Sequence, residues 1–403
     1  MQTIRSITYS LIIVILSSCS PASQNVDNTP TTAPEVTQTP EVPQGKEILR
    51  SYLGTPERGE VATSIIELDD GGFLVAGYDY DRHDNISEWD ALVMRISPEG
   101  QEVWSHSSDK QGSEYAWVVR DAGNDQFVVV GTWESDDGDT DGYMQGFDAN
   151  GNELWFRTYG GDGEEILWAA ESTPDGGFLL AGQTDSEGAG GLDFYMVRTD
   201  ADGNELWSKT FGTLVTDRAL GIGVSPDGGA LIVGFTGAIK NTMDIFYVRT
   251  DKDGRELWKH TLAGSRFDVA HDVLTLPDGG FVISGYTSSF TPGDHDGLLM
   301  RLSADGRLLW MKTYGDTRDD RILHVAQLED GGFAMVDYSS RDMTVWRLDI
   351  DGDLVWSYGD LPNQVSRGKD IIVAKNGSIV AVGGSPHSTP QNEDIFLLVL
   401  GEQ

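Results

Sequence analysis

The chain has 403 residues, of which 65 are acidic and 28 basic, for a net charge of -37, and it holds one cysteine. That charge repels nucleic acid and anionic lipid headgroups, which argues against a nucleic-acid role and leaves divalent cations and basic surfaces as the natural counterparts. A single cysteine excludes an intrachain disulfide, so the fold must hold by packing alone.

The N-terminus carries one early cation, Arg5, and the short apolar run Leu11 to Leu16, too short to span a bilayer; residues 1–18 read as a signal peptide. The sequence Leu16-Ser17-Ser18-Cys19 resembles the lipobox of bacterial lipoproteins. The resemblance implies that Cys19 is lipidated, becomes the first residue after cleavage, and is the only attachment to a lipid bilayer, on the extracytoplasmic side at the cell surface or in the periplasm. An ordinary signal peptide with a chance cysteine is the alternative. Residues 19–45 are rich in Pro and Thr and nearly free of large apolar side chains, which predicts a disordered tether.

Residues 46–403 are an array of near-copies. Tryptophans recur at Trp104, Trp155, Trp207, Trp258, Trp310 and Trp356, and a turn signal recurs as Asp70, Asn124, Asp175, Asp227, Asp278, Asp330 and Asn376, most often as Asp-Gly-Gly-Phe. Each copy reads as four short strands a to d, for example Ala270 to Leu276, Phe281 to Gly285, Leu298 to Ser303 and Leu308 to Tyr314, joined by Gly-bearing hairpins. Four strands at a period of about 51 residues describe one propeller blade, so the expected fold is an all-β, seven-bladed β-propeller of four-stranded antiparallel blades. The last copy ends after strand c. Residues 47–53 align with the strand d of other copies, so this N-terminal strand is expected to complete the last blade and close the ring.

The array resembles the seven-bladed β-propeller repeats of bacterial surface proteins, with their T-Y-G-G, D-G-G-F and aliphatic strand-b rhythm. The Glu-Leu-Trp strands at Trp155, Trp207 and Trp258 are similar to the tryptophan-docking strands of quinoprotein propellers, in which an indole packs between blades. Quinoprotein dehydrogenases have eight blades and a vicinal cysteine pair, which this chain lacks, so no quinone cofactor is expected. The nearest functional analogue is a lipid-anchored scaffold propeller of the outer-membrane assembly type. The c-to-d turns depart from the sialidase Asp-box by the place of their glycine, and the kelch repeat carries its glycine pair after strand b rather than before.

In an up-and-down blade the a-to-b and c-to-d turns share one end of the ring. The b-to-c and d-to-a loops share the other. The first end is monotonous. The b-to-c loops vary, from the long Tyr78 to Trp89 to the short Tyr338 to Arg341, which points to that end as the binding face, with Trp89, Trp133, Tyr286 and His295 as candidate contacts beside Tyr80 and Phe290. The same end carries an acidic residue ten places before the turn signal: Glu60, Glu114, Glu165, Asp217, Asp268 and Asp320, with Ser366 in the seventh copy. These six are expected to ring the channel mouth, either binding cations or a basic partner, or capping backbone amides of their own blades. Asp137, Asp139 and Asp141 match the start of a calcium loop, although Asp148, the twelfth position, falls at the far end of a strand. Asp141 has counterparts at Asp90, Asp193, Asp244, Asp296, Asp342 and Asp394, which makes it a blade residue as well.

His271-Asp272, His324 and Lys369-Asp370 at the entry of strand a, with His83 and His295 in loops, come without a nucleophile elbow, a zincin motif or a reactive cysteine. The sequence therefore predicts a monomeric, non-enzymatic binding or scaffold module with a protein or glycan partner, calcium as the candidate ion and no other cofactor. An extracytoplasmic polysaccharide hydrolase or lyase working through the channel carboxylates, and a purely structural envelope protein, are the alternatives.

Overall fold

The computed structural model describes residues 45–401 apart from 56, 82–88, 109, 136–137, 238–241, 292–293, 316–318, 339–342, 360–365 and 387–392. Cys19, the leader and the tether lie outside the described residues, as do His83, Asp137 and Asp342. The described residues form seven four-stranded antiparallel sheets and no helix. Blade 5 shows the pattern: strand a is Asp268–Thr275, b is Phe281–Thr287, c is Asp296–Leu302 and d is Leu308–Tyr314.

The ring closes as the alignment of its ends predicts. Lys46–Leu53 pairs antiparallel with Asp394–Gly401, setting Ser51 opposite Leu397 and Tyr52 opposite Phe396, so the seventh sheet is built from both ends of the chain. Strands a contact one another from blade to blade around the whole circle, which makes them the innermost strands. The cores lie between blades rather than within them: Leu179 and Met196 of blade 3, for example, share a cluster with Ile232 and Phe246 of blade 4. No single sheet could bury both faces alone, so neighbouring blades stabilise each other.

Two repeated devices hold that packing. Each strand-d indole stands over the glycine of the c-to-d turn in the next blade, where a side chain on Gly203 would come within 2.5 Å of Trp155, and one on Gly254 within 2.8 Å of Trp207. The ladder runs through the closure: Trp356 stands over Gly45, and Leu49, which replaces tryptophan in the closing strand, stands against Gly100. The interblade docking implied by the Glu-Leu-Trp strands is thus present. The second device explains the Asp-Gly-Gly turn. In blade 4 the Asp227 carboxylate caps the Gly229 amide at 3.0 Å and pairs with Arg249 of strand c at 2.8 Å. A side chain on Gly229 would meet that guanidinium, while Gly228 adopts φ 79°. The same Asp–Arg pair recurs in blades 1, 3, 5 and 6. Blades 2 and 7 have Gly146 and Val399 in place of the arginine, and in both the Asp-Gly-Gly turn is gone as well.

Strand a carries an extra residue at one place in every blade, at Thr63, Trp117, Trp168, Leu220, His271, Leu323 and Lys369. Such a bulge bends the strand and re-aims the extra side chain. Opposite it, strand b has glycine in six blades, because the bend brings a strand-a carbonyl to where a β-carbon would stand: Ile166 O against Gly182, Arg218 O against Gly234.

Candidate functional site

At the end of the ring that carries the b-to-c loops, backbone hydrogen bonds stitch each blade to the next. The amide of Asp217 donates to Leu192 O at 2.7 Å, Asp268 to Met243 O at 2.8 Å, Asp320 to His295 O at 2.9 Å and Glu60 to Glu393 O at 2.8 Å. Each accepting residue directly precedes the aspartate that opens strand c, namely Asp193, Asp244, Asp296 and Asp394. The acid that opens strand a is therefore set beside the strand-c aspartate of the preceding blade. All six acids assigned to the channel mouth are at most 5% exposed, and Glu60, Asp217, Asp268 and Asp320 stand in these seams.

Turn amides and hydroxyls hold one side of four of these carboxylates. Glu165 accepts from Gly161 N at 2.7 Å and from the Thr184 hydroxyl, Asp217 accepts from Thr213 N at 2.6 Å and Thr213 Oγ1 at 2.9 Å, and Asp268 accepts from the Thr287 hydroxyl. Glu60 accepts from Thr55 N at 2.9 Å. Burial pushes Glu60 up to about 7 against those hydrogen bonds, with Asp79 and Asp394 adding repulsion. Burial likewise pushes Asp141 up to about 6, reinforced by Asp139 and Glu165, and raises Asp217 and Asp268. Asp139 is exposed on the turn before strand c, and Asp148 lies at the other end of the strand Thr140–Asp148, where it caps Asn150 and Asn152.

Inside the ring the bulged residues of different blades meet. Trp117 and Trp168 lie 4.7 Å apart between ring centres, Tyr115 stacks on Trp117 at 5.5 Å, and Trp89 reaches Tyr115 at 5.7 Å and Tyr78 at 5.2 Å. This aromatic arc spans blades 1 to 3. Tyr80 extends it, 4.8 Å from Trp89. In blades 5 to 7 the side chains are cationic and aromatic together. Arg321 lies 4.8 Å from the Tyr286 ring, and Lys369 Nζ lies 4.4 Å from the Tyr338 ring. Lys369 has no hydrogen-bond or ion-pair partner among the described residues, and burial pulls its ammonium down to about 8. Arg218 of blade 4 also lacks an ion-pair partner there, and its Nε is buried without a hydrogen bond.

His295 stands 5.1 Å from Tyr286 with its Nδ1 3.2 Å from Asp319, and burial lowers its pKa. Trp133 stands apart from the arc: its indole donates to Gln111 O at 2.9 Å and meets Phe156 edge-on. Deeper, His324 Nδ1 lies 3.5 Å from Asp272 and 3.6 Å from Asp370, and those carboxylates overcome burial to raise its pKa. His271 is held neutral, its pKa pulled down to about 3 by burial. Asp272 and Asp370 each also accept a backbone amide from the following blade, from Val325 at 3.3 Å and Ile65 at 2.9 Å. These groups are tied into the ring's own bonding. Trp117 is anchored by its indole, which donates to Thr132 Oγ1 at 2.9 Å, whereas Lys369 and Arg218 have no such tie among the described residues; Trp117, Trp168 and Arg218 went unmarked in the sequence.

A family model described as outer membrane protein assembly factor BamB matches residues 245–389, the part of the ring from blade 4 to blade 7. No curated protein matches the chain. Among solved structures, the Pan2 WD40 domain of Neurospora crassa is similar with a TM-score of 0.55 at 12% identity, over 90% of this chain and 98% of that one. Drosophila Plexin A, solved in complex with Semaphorin 1b, is similar with a TM-score of 0.50 at 10% identity, over 89% of this chain and 88% of that one. The chain is a propeller-repeat protein, and at such identities the structural likenesses speak to fold alone.

Proposed function

We propose that this chain is a non-enzymatic binding module of the bacterial envelope, tethered through lipidated Cys19 and the 19–45 segment, which takes a protein or glycan partner at its b-to-c end. The observation that carries the reading is the juxtaposition of an aromatic arc with unpaired cations inside a chain of net charge -37. The strand-c arginines Arg95, Arg198, Arg249, Arg301 and Arg347, by contrast, are spent on turn aspartates. Lys369 and Arg218 are left to meet an acidic group, and Trp117 and Trp168 offer ring faces for stacking. The match to an outer-membrane assembly model supports a binding or scaffold role and an envelope address.

The test uses a fluorescent oligogalacturonate and a fluorescent polyglutamate peptide against the full chain, with a neutral oligosaccharide as control. One of the acidic probes is expected to bind saturably, and Trp117→Ala with Trp168→Ala is expected to weaken it by tenfold or more, since each stacked ring is worth about 1 kcal/mol. Absence of binding by both acidic probes, or equal binding by the double variant, would remove the reading.

A further inference from the structure

The seams between blades pose a question that the partner site does not answer. At three consecutive seams two carboxylates from adjacent blades stand side by side: Asp141 with Glu165, Asp193 with Asp217, and Asp244 with Asp268. No lysine or arginine among the described residues bonds any of the six. In each seam both acids crowd the d-to-a turn. A β-carbon on Gly160 would collide with Asp141 Oδ1 and lie 2.6 Å from Glu165 Oε2, and one on Gly212 would collide with Asp193 Oδ1 and lie 2.9 Å from Asp217 Oδ2. In the third seam Gly264 donates its amide to Asp244 at 2.9 Å, and its β-carbon would collide with Asp268 Oδ2.

Like charges brought together away from water repel strongly, and burial without a counter-charge costs several kcal/mol per ion. Turn amides and hydroxyls satisfy one oxygen of Asp193, Asp217, Asp244 and Asp268. The other is left over: Asp193 Oδ1, Asp217 Oδ1 and Asp268 Oδ2 are buried without a well-formed hydrogen bond, on residues at most 1% exposed, with the Thr236 hydroxyl near Asp217 and the Ser289 hydroxyl near Asp268. Buried polar atoms are nearly always paired, so two orphans sharing the seam between blades 3 and 4, with a third at the place of Asp217 one blade on, mark a missing partner rather than an accident.

A neighbouring seam shows what that partner is in charge. Between blades 1 and 2, Arg58 reaches Asp90 and Asp79 together, supplying a cation from the chain itself. Between blades 6 and 7 the strand-a acid is replaced by Ser366, which bonds Ser385 at 3.1 Å. One seam is thus neutralised by arginine and one has given up its acid, whereas the three between blades 2 and 5 keep both acids and have no side-chain cation.

We propose that the seams between blades 3 and 4 and between blades 4 and 5 are calcium sites, each ion bridging the strand-c aspartate of one blade and the strand-a aspartate of the next. The donors are oxygens only, which favours a hard cation over zinc or copper. Calcium accepts irregular sets of protein oxygens, whereas magnesium keeps its waters and demands a near-octahedral shell, which a dry, backbone-lined seam does not offer. Backbone carbonyls and water would complete the shell. The ion would act as a staple between blades, in a chain that has no disulfide to do so. This proposal is independent of what the aromatic arc binds.

The experiment is calorimetric titration of the chelator-treated full chain with calcium chloride at neutral pH. Magnesium chloride and sodium chloride at matched ionic strength serve as further arms, with thermal midpoints recorded alongside. At least two equivalents of calcium are expected, one for each of these seams, with magnesium at least tenfold weaker and a rise in midpoint that sodium does not reproduce. Asp193→Asn combined with Asp217→Asn is expected to remove about one equivalent and to melt no lower than the wild type in chelator, because it relieves the repulsion. Trp117→Ala with Trp168→Ala should leave the stoichiometry unchanged, which separates this proposal from the partner site. No saturable calcium heat in the wild type, or a stoichiometry unaltered by the double aspartate variant, would overturn it and indicate that each pair shares a proton instead.

Discussion

Deletion of residues 46–53 is expected to cost the protein its cooperative unfolding transition, or to lower the thermal midpoint by about 10 °C or more. The strand they form supplies the whole outer edge of the seventh blade, in ladder with Asp394–Gly401. Its Leu49 and Leu53 pack on the cluster that joins blade 7 to blade 1, and Tyr52 packs on the cluster that joins blade 6 to blade 7. Removing it leaves an unpaired strand edge of eight residues, opened beside apolar positions such as Leu397 and Val399. An edge of that kind pairs with other chains, so aggregation on heating is expected along with the lower midpoint. Differential scanning calorimetry and light scattering against the intact chain would check both; an unchanged midpoint would mean that the ring does not need its closing strand.

The second large effect is expected from Gly182→Val in strand b of blade 3. The bulge at Trp168 carries the Ile166 carbonyl into the space over Gly182, and any β-carbon there would overlap that oxygen. The carbonyl belongs to the backbone of the innermost strand, so relief requires the bulge itself to shift. The expected loss is about 3–5 kcal/mol, read as a fall in denaturant midpoint, or failure to fold. Gly176→Ala on the neighbouring a-to-b turn is the useful comparison. Nothing lies within 4 Å of its β-carbon position, so only the cost of its φ of 89° applies, about 1 kcal/mol. Equal losses at the two positions would show that the close approach is not what selects glycine.

The parts of this architecture that were plain in the sequence are those that repeat within one blade. Tryptophan spacing and the Asp-Gly-Gly turn reveal blade number, strand order and the closing strand, because each blade must solve the same local problem with the same residues. The strand-c arginines were equally periodic, yet their role emerges only when Arg249 is seen to occupy the space that Gly229 vacates. The seams were harder to read. Asp193 and Asp217 are 24 places apart and belong to different blades, and nothing local announces that the Leu192 carbonyl binds the Asp217 amide and thereby sets the two acids together. The strand-a acids looked like a ring around an opening for that reason. The aromatic arc was the least legible, since Trp117 and Trp168 fill the strand-a bulge position in only two of the seven blades and Trp89 joins them from the start of a strand c. Departures from the repeat, rather than the repeat itself, are where the binding chemistry of such a chain resides.

The central claim is a ring of seven blades whose first strand is an integral part of its last sheet. Native-state hydrogen exchange resolved at the amides of Leu49 to Leu53 tests it most directly. If the ring is closed as described, the alternate amides among them that donate into the ladder exchange as slowly as those of Phe396 to Val399 and open with the same free energy. If they exchange at the rate of an unstructured segment while Phe396 to Val399 remain protected, the closing strand is not part of the fold and the account is wrong.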